Sequence, residues 1–150
     1  MLFCLLKAKT FYNINTLQKI EITFTQSNWD YILDTSKAGA DGYLMAQLVK
    51  INGTSFDSAG VKFKGGSSYN VNNNKNPFHI ELDFIKNQDY QGYKDIKLSN
   101  GFKDPSFVRE VLGYNILNKY MPASLSNYCQ LYINGVYIGV YANSEAVTKT

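Results

Sequence analysis

Two Asn-Gly dipeptides constrain the fold of this chain more than any other feature. Asn52-Gly53 and Asn134-Gly135 each stand between two apolar runs. Asparagine and glycine both tolerate positive φ, so the pair favours the tight type I′ turn that joins antiparallel strands. Tyr43 to Ile51 is therefore expected to return through Thr54 to Asp57, and Tyr128 to Ile133 through Val136 to Tyr141. The triplet Asn52-Gly53-Thr54 is formally a glycosylation sequon, but the turn explains it without a glycan.

Other runs add strands by the same alternation. Lys19 to Thr25 places Ile20, Ile22 and Phe24 on one face. Val61 to Lys64 sets Val61 and Phe63 against Lys62 and Lys64. Phe78 to Phe84 is the clearest strand, with Phe78, Ile80, Leu82 and Phe84 facing a core and His79, Glu81 and Asp83 facing away. Asp95 to Leu98 follows after a polar turn.

Two helices interrupt the strands. Ser27 and Asp30 resemble a capping box for a helix through about Asp34, with Trp29, Ile32 and Leu33 inward. The principal helix is expected to start at Asp104, whose carboxylate can cap free amides, with Pro105 at the first helical position. It runs to about Tyr120, where Met121-Pro122 stops it. The predicted class is α+β: a mainly antiparallel sheet with one principal helix packed on it. No internal repeat or boundary divides the body of the chain.

Composition narrows the function classes. The chain has 150 residues, 45% of them hydrophobic, which is enough for one domain with a real core. The net charge of +3 comes from scattered lysines, which gives nucleic-acid binding little support. Cys4 and Cys129 form neither a metal spacing nor a disulfide framework, and Cys129 reads as a small buried side chain. His79 has no second histidine beside it, so a zinc site is not expected. Met1 to Lys7 is apolar but shorter than a usual signal core, and reads as a clipped export signal, an alternative start or a first strand. No run approaches the roughly 20 apolar residues that span a membrane.

Chemistry concentrates in two places. Gly65-Gly66-Ser67-Ser68 follows the Lys64 strand and offers backbone amides and hydroxyls of the kind that cradle phosphate. It is not a Walker loop, because the lysine precedes the glycines and no helix follows; a plain surface turn is the simpler account of the loop alone. Lys64 itself is either a phosphate contact or a solvated strand lysine. The second place is Lys97-Leu-Ser-Asn-Gly-Phe-Lys-Asp-Pro-Ser-Phe-Val-Arg-Glu110. Its Arg109 is the single arginine of the chain, and a guanidinium fork is not interchangeable with an ammonium. Locally, Arg109 and Glu110 read as a structural pair on a capped helix. The order of parts adds more: lysine strand, Gly/Ser loop, glutamate helix, hairpin and exit through Ala142 to Glu145 follow the layout of a protein-kinase small lobe.

The ordered segments resemble the CotH-type spore-coat protein kinases. They are Val61-Lys-Phe-Lys-Gly-Gly-Ser-Ser-Tyr69, Asn76-Pro-Phe-His-Ile80, Lys97-Leu-Ser-Asn100, Asp104-Pro-Ser-Phe-Val-Arg-Glu110, and Leu131-Tyr-Ile-Asn-Gly135 with Gly139-Val-Tyr141. The resemblance covers roughly residues 17 to 145. It implies a bacterial, secreted or surface-associated atypical kinase that transfers phosphate from ATP with magnesium to secreted or spore-coat-type proteins. Lys64, Gly65, Gly66, Ser67 and Ser68 would meet the nucleotide, Glu110 would hold Lys64, and Ala142 to Glu145 would lie near the hinge that meets adenine.

Two departures qualify what the resemblance implies. The family often has lysine where this chain has His79, which weakens one phosphate contact at neutral pH. The chain also ends at Thr150, past the apparent hinge, without the large lobe that supplies the base and the metal-binding groups of a kinase. The domain reading is thus an N-terminal segment, 1–16, with a remnant of an export signal as one of its readings, and a kinase N-terminal lobe, 17–150, truncated after the hinge. No catalytic residue is expected in the chain itself, which is expected not to transfer phosphate without its C-terminal partner lobe. The alternative is a non-catalytic surface or coat module for protein or glycan contact. A glycan-processing enzyme using Glu81 and Asp83 is disfavoured, because nothing opposite them suggests a substrate cleft.

Overall fold

A computed structural model describes residues 10–147. Seven strands form, in chain order: β1 (Gln18–Thr23), β2 (Leu44–Ile51), β3 (Thr54–Phe63), β4 (Phe78–Glu81), β5 (Asp95–Ser99), β6 (Ser126–Ile133) and β7 (Val136–Glu145). Two helices, α1 (Trp29–Ala38) and α2 (Arg109–Leu117), lie between β1 and β2 and between β5 and β6. The expected apolar segment Met1 to Lys7, with Cys4, lies outside the described residues.

The strands close into a barrel in the order β1-β2-β3-β4-β5-β7-β6. Neighbours are antiparallel except at the seam, where β1 runs parallel to β6 with Ile20 opposite Leu131. This corrects the α+β expectation of a sheet covered by one principal helix in the layout of a kinase small lobe. The reason lies in what the helices bury. Only Leu33 of α1 and Val111 of α2 are buried, so neither helix can cover a sheet face. The apolar faces of the seven strands cover one another instead. Ile20, Ile22, Val49, Ile51, Val61, Phe63, Phe78, Ile80, Ile96, Leu98, Leu131 and Ile133 fill the interior, as side chains do in small closed barrels. Closure also gives each of these strands a paired neighbour on both sides over at least part of its length. Phe11 and Tyr12, ahead of β1, are buried in the same core, where the Phe11 ring packs edge-on to Tyr90.

Both hairpins form as the Asn-Gly pairs predict. Asn52 and Gly53 take φ of 50° and 86°, and Asn134 and Gly135 take 49° and 78°. Other boundaries move. Thr54 to Asp57 and Val61 to Phe63 belong to one strand, because Gly60 marks a close approach rather than a break. A Cβ there would stand 2.8 Å from the ring of Phe84. The strand from Phe78 stops at Glu81, although Leu82 remains buried.

The helix starts move as well. The α1 cap position is Asn28, with no side-chain cap hydrogen bond, so the Ser27–Asp30 box does not form. The principal helix begins at Arg109, five residues after Asp104, and Pro105 stands in a turn before it. Asp104 still receives the first amide of the helix, since Arg109 N–H donates to its Oδ2 at 2.9 Å. Two consecutive turns occupy the expected first helical residues: Asp104 N–H donates to Gly101 O, and Phe107 N–H to Asp104 O.

Candidate functional site

Lys64 follows the last residue of β3. Its backbone N–H donates to Pro77 O at 2.9 Å, carrying the β3–β4 pairing one residue further. Alternation with buried Phe63 sends the Lys64 side chain to the outside of the barrel. On β5, Ile96 and Leu98 fill the interior, so Lys97 and Ser99 also face outward. Lys64 Nζ donates to Ser99 Oγ at 3.0 Å. Glu110, in the first turn of α2, reaches the same place: its Oε1 accepts from Ser99 Oγ at 3.2 Å and from Ser144 Oγ at 2.7 Å. The Ser144 hydroxyl in turn meets that of Ser126 at 2.8 Å.

Electrostatics at Lys64 are a contest. Burial holds its ammonium below the ordinary lysine range, the Glu110 carboxylate pulls it back up, and Lys97 pushes it down. Desolvation of this kind leaves a cation in want of a counter-charge.

A cavity of about 440 Å³ opens beside this chain of polar groups, within the range of about 300–1,000 Å³ typical of ligand sites. Ser68, Ser99, Asn100, Phe107, Arg109 and Glu110 are among its walls. The connection from β5 to α2 shapes it under local strain, because Lys103 and Phe107 both hold positive φ, 54° and 58°. Gly101, at φ 72°, admits the Phe107 ring where a Cβ would stand 2.6 Å away. Asn100 ties the walls together, its Nδ2 donating to Ser68 O at 3.0 Å and Lys75 O at 2.9 Å.

The structure gathers some of the expected residues and disperses others. Ser68 and Glu110 line the cavity, and Lys64 meets its wall through Ser99. Gly65, at φ 83°, lets Ser68 fold back, since a Cβ there would lie 2.2 Å from Ser68 Oγ. Gly66 and Ser67 stay exposed on the turn, with open space around Gly66. Arg109 points to solvent, its Nη1 donating to Lys103 O at 3.4 Å and its Nε lying 3.8 Å from Asp104. Ala142 to Glu145, expected at a hinge, instead end β7. They pair with β5 on one side and β6 on the other, which occupies the backbone groups an adenine would need. His79 is held between Tyr43 OH at 3.2 Å and Asp95 Oδ1 at 2.7 Å. Asp83 pairs with Lys94 at 3.1 Å in the turn after β4, apart from Glu81. Cys129 is a free buried thiol whose pKa burial pushes up.

Sequence reasoning left several site residues without a role. Ser99 and Asn100 stood in a quoted motif as strand and loop residues only. Ser144 stood only within the stretch expected near a hinge and Ser126 had no local signal; Ser144 reaches Glu110 directly and Ser126 meets Ser144. Lys75 carries no role in the sequence reading; its Nζ lies 4.1 Å from the centre of the Phe107 ring and 5.1 Å from that of Tyr141.

The fit to the implied cofactors is uneven. The desolvated Lys64 beside an open cavity suits an anionic phosphate group. Magnesium is different: among the described residues no three His, Cys, Asp or Glu side chains stand together to hold a metal ion. No helix among them is long and apolar enough to cross a membrane.

No curated protein matches the chain. The family described as CotH kinase protein matches residues 61–150, a span that begins in β3 and takes in Lys64, the Gly/Ser turn, Ser99 and Glu110. That match covers more than half of the sequence, and the chain belongs to the CotH kinase family.

Proposed function

We propose that this chain is a nucleotide-binding part of a CotH-type protein kinase, which binds ATP for phosphorylation of secreted or spore-coat-type proteins. Lys64 meets the nucleotide phosphates, with Gly65, Gly66, Ser67 and Ser68 supplying the adjoining turn and Glu110 stabilising the lysine. One observation carries this reading: a half-buried ammonium hydrogen-bonded to Ser99, which stands in the wall of a cavity of about 440 Å³. An ATP phosphate brought there would relieve the desolvation that burial imposes on Lys64. Phosphoryl transfer also needs a base and metal-binding groups, and in this proposal a C-terminal lobe supplies them.

Titration calorimetry of the chain with ATP, with and without magnesium, tests the reading. Lys64→Ala is expected to weaken ATP binding at least about tenfold, the loss of one charge-assisted contact of roughly 1.5 kcal/mol or more. Equal affinity of the two proteins would overturn it. A second reading, a non-catalytic protein-interaction module, is favoured by the exposed apolar row Val108, Leu112 and Ile116 along α2. That reading takes the lead if the wild-type chain ignores ATP.

A further inference from the structure

We infer that Ser99 is the positioning residue through which Lys64 and Glu110 are coupled, with Ser144 as the anchor that keeps Glu110 turned toward it. Kinase layout suggests a direct lysine–glutamate pair. Here the two charges are joined by a hydroxyl instead. Lys64 Nζ donates to Ser99 Oγ, and Ser99 Oγ donates to Glu110 Oε1.

Proton bookkeeping gives the chain a direction. An ammonium has donors only and an ionised carboxylate acceptors only. Lys64 therefore donates a hydrogen bond to Ser99, which leaves the single Ser99 O–H to donate to Glu110. From the other side Ser144 gives its proton to the same Glu110 oxygen, so Ser126 must donate to Ser144. The order is Lys64 to Ser99 to Glu110, met by Ser126 to Ser144 to Glu110. Both ends run toward the carboxylate, so each bond polarises the next. Two hydroxyls from adjacent strands, β5 and β7, hold one oxygen of Glu110, which leaves the helix-borne side chain little freedom to swing. Lys97, the other charge acting on Lys64, lies on β5 opposite Ser144 and has no part in the relay.

The consequence is specific to the hydroxyl. Without it, Lys64 loses an acceptor and its link to Glu110 in one step, although both charges remain. The relevance to nucleotide rests on the phosphate-binding reading; the coupling itself does not.

The test uses the full chain with ¹³C-labelled lysine, the Lys64 signal being assigned by its loss in Lys64→Arg. The Lys64 titration midpoint is followed by NMR without nucleotide. Glu110→Gln is expected to lower that midpoint in the wild-type background. The same substitution should produce at most about half that shift when Ser99 is Val, and the full shift when Ser99 is Thr. Valine and threonine match in shape and differ by the hydroxyl, and both suit a strand, so the comparison survives if Ser99→Ala misfolds. Equal Glu110→Gln shifts in the Val and Thr backgrounds would overturn the proposal, since charges that act independently add. A parallel ATP titration separates the two ideas. A hydroxyl-dependent shift in a chain that ignores ATP upholds the relay and removes the nucleotide reading. ATP binding that depends on Lys64, with no hydroxyl-dependent shift, does the reverse.

Discussion

The side chain of Asn134 holds β1 across the barrel seam, its Oδ1 accepting the N–H of Phe24 at 2.8 Å. Its backbone N–H also donates to Ile22 O at 2.9 Å. The other hairpin asparagine does the same at the opposite end of the strand: Asn52 Oδ1 accepts from Lys19 N–H, and Asn52 N–H donates to Lys19 O, both at 2.9 Å. Two turn residues chosen for positive φ thus also fasten the strand that closes the barrel.

Asn134→Ala is expected to destabilise the fold by about 1–3 kcal/mol, because it places an alanine at positive φ and leaves the Phe24 amide without its partner. Asn134→Gly keeps the backbone freedom and should cost less. Urea unfolding of the two variants beside wild type checks the order; equal midpoints for Ala and Gly would show that the positive φ costs alanine nothing, and a Gly midpoint equal to wild type would show that the side-chain contact contributes nothing.

Gly60 reports on packing rather than on a turn. A methyl group there meets the Phe84 ring at 2.8 Å and the Tyr43 ring at 3.1 Å. Gly60→Ala should therefore cost about 1–3 kcal/mol, the usual range for overpacking. Adding Phe84→Leu to Gly60→Ala should recover part of the loss, a non-additive pair measurable by the same denaturant curves.

Asp104 supplies a pH dependence. The Ser106 hydroxyl, then the Arg109 and Ser106 amides and the Arg109 charge, hold its carboxyl below the ordinary range. A carboxyl depressed in the folded state stabilises above its unfolded pKa, near 3.9, and loses that contribution as pH falls through the folded value. The fold should weaken in acid below about pH 4. In Asp104→Asn the difference between unfolding midpoints at pH 6 and pH 2.5 should be smaller than in wild type. An unchanged difference would mean that Asp104 contributes none of the acid sensitivity.

Tyr141 offers a buried counterpart. It is fully buried among the barrel strands, and its hydroxyl donates to Asn76 O at 2.9 Å. Tyr141→Phe leaves that carbonyl short of its partner and is expected to cost about 1–3 kcal/mol. Thermal unfolding followed by circular dichroism measures it, and a midpoint within experimental error of wild type would refute the assignment.

Much of the strand content was legible because it is local. Ile20, Ile22 and Phe24 alternate within one segment and are all buried, and each Asn-Gly pair specifies its turn within two residues. Where local signals had two causes, the reading went astray. Thr54 to Asp57 and Val61 to Lys64 looked like two strands, but β3 runs through Gly60, where the missing side chain admits a ring. Asp104-Pro105 looked like a helix start but builds turns, with the carboxylate reaching forward to Arg109. Motif order singled out Lys64, Ser68 and Glu110, whereas nothing local showed that β7 continues through Ala142 to Glu145.

The amino-acid sequence by itself determined which residues face inward along each strand, where both hairpins turn, and the family to which the chain belongs. Tertiary structure alone decided that β1 pairs with β6 to close a barrel, and that Ser99 and Ser144 converge on one oxygen of Glu110. Alternation and turn propensity act over a few residues and leave a periodic trace. Closure joins Ile20 to Leu131, and the relay joins Lys64, Ser99, Glu110 and Ser144, all through contacts between distant segments. Such contacts form because buried apolar faces and polar groups must each find a partner, and the identity of that partner is set by the assembled barrel.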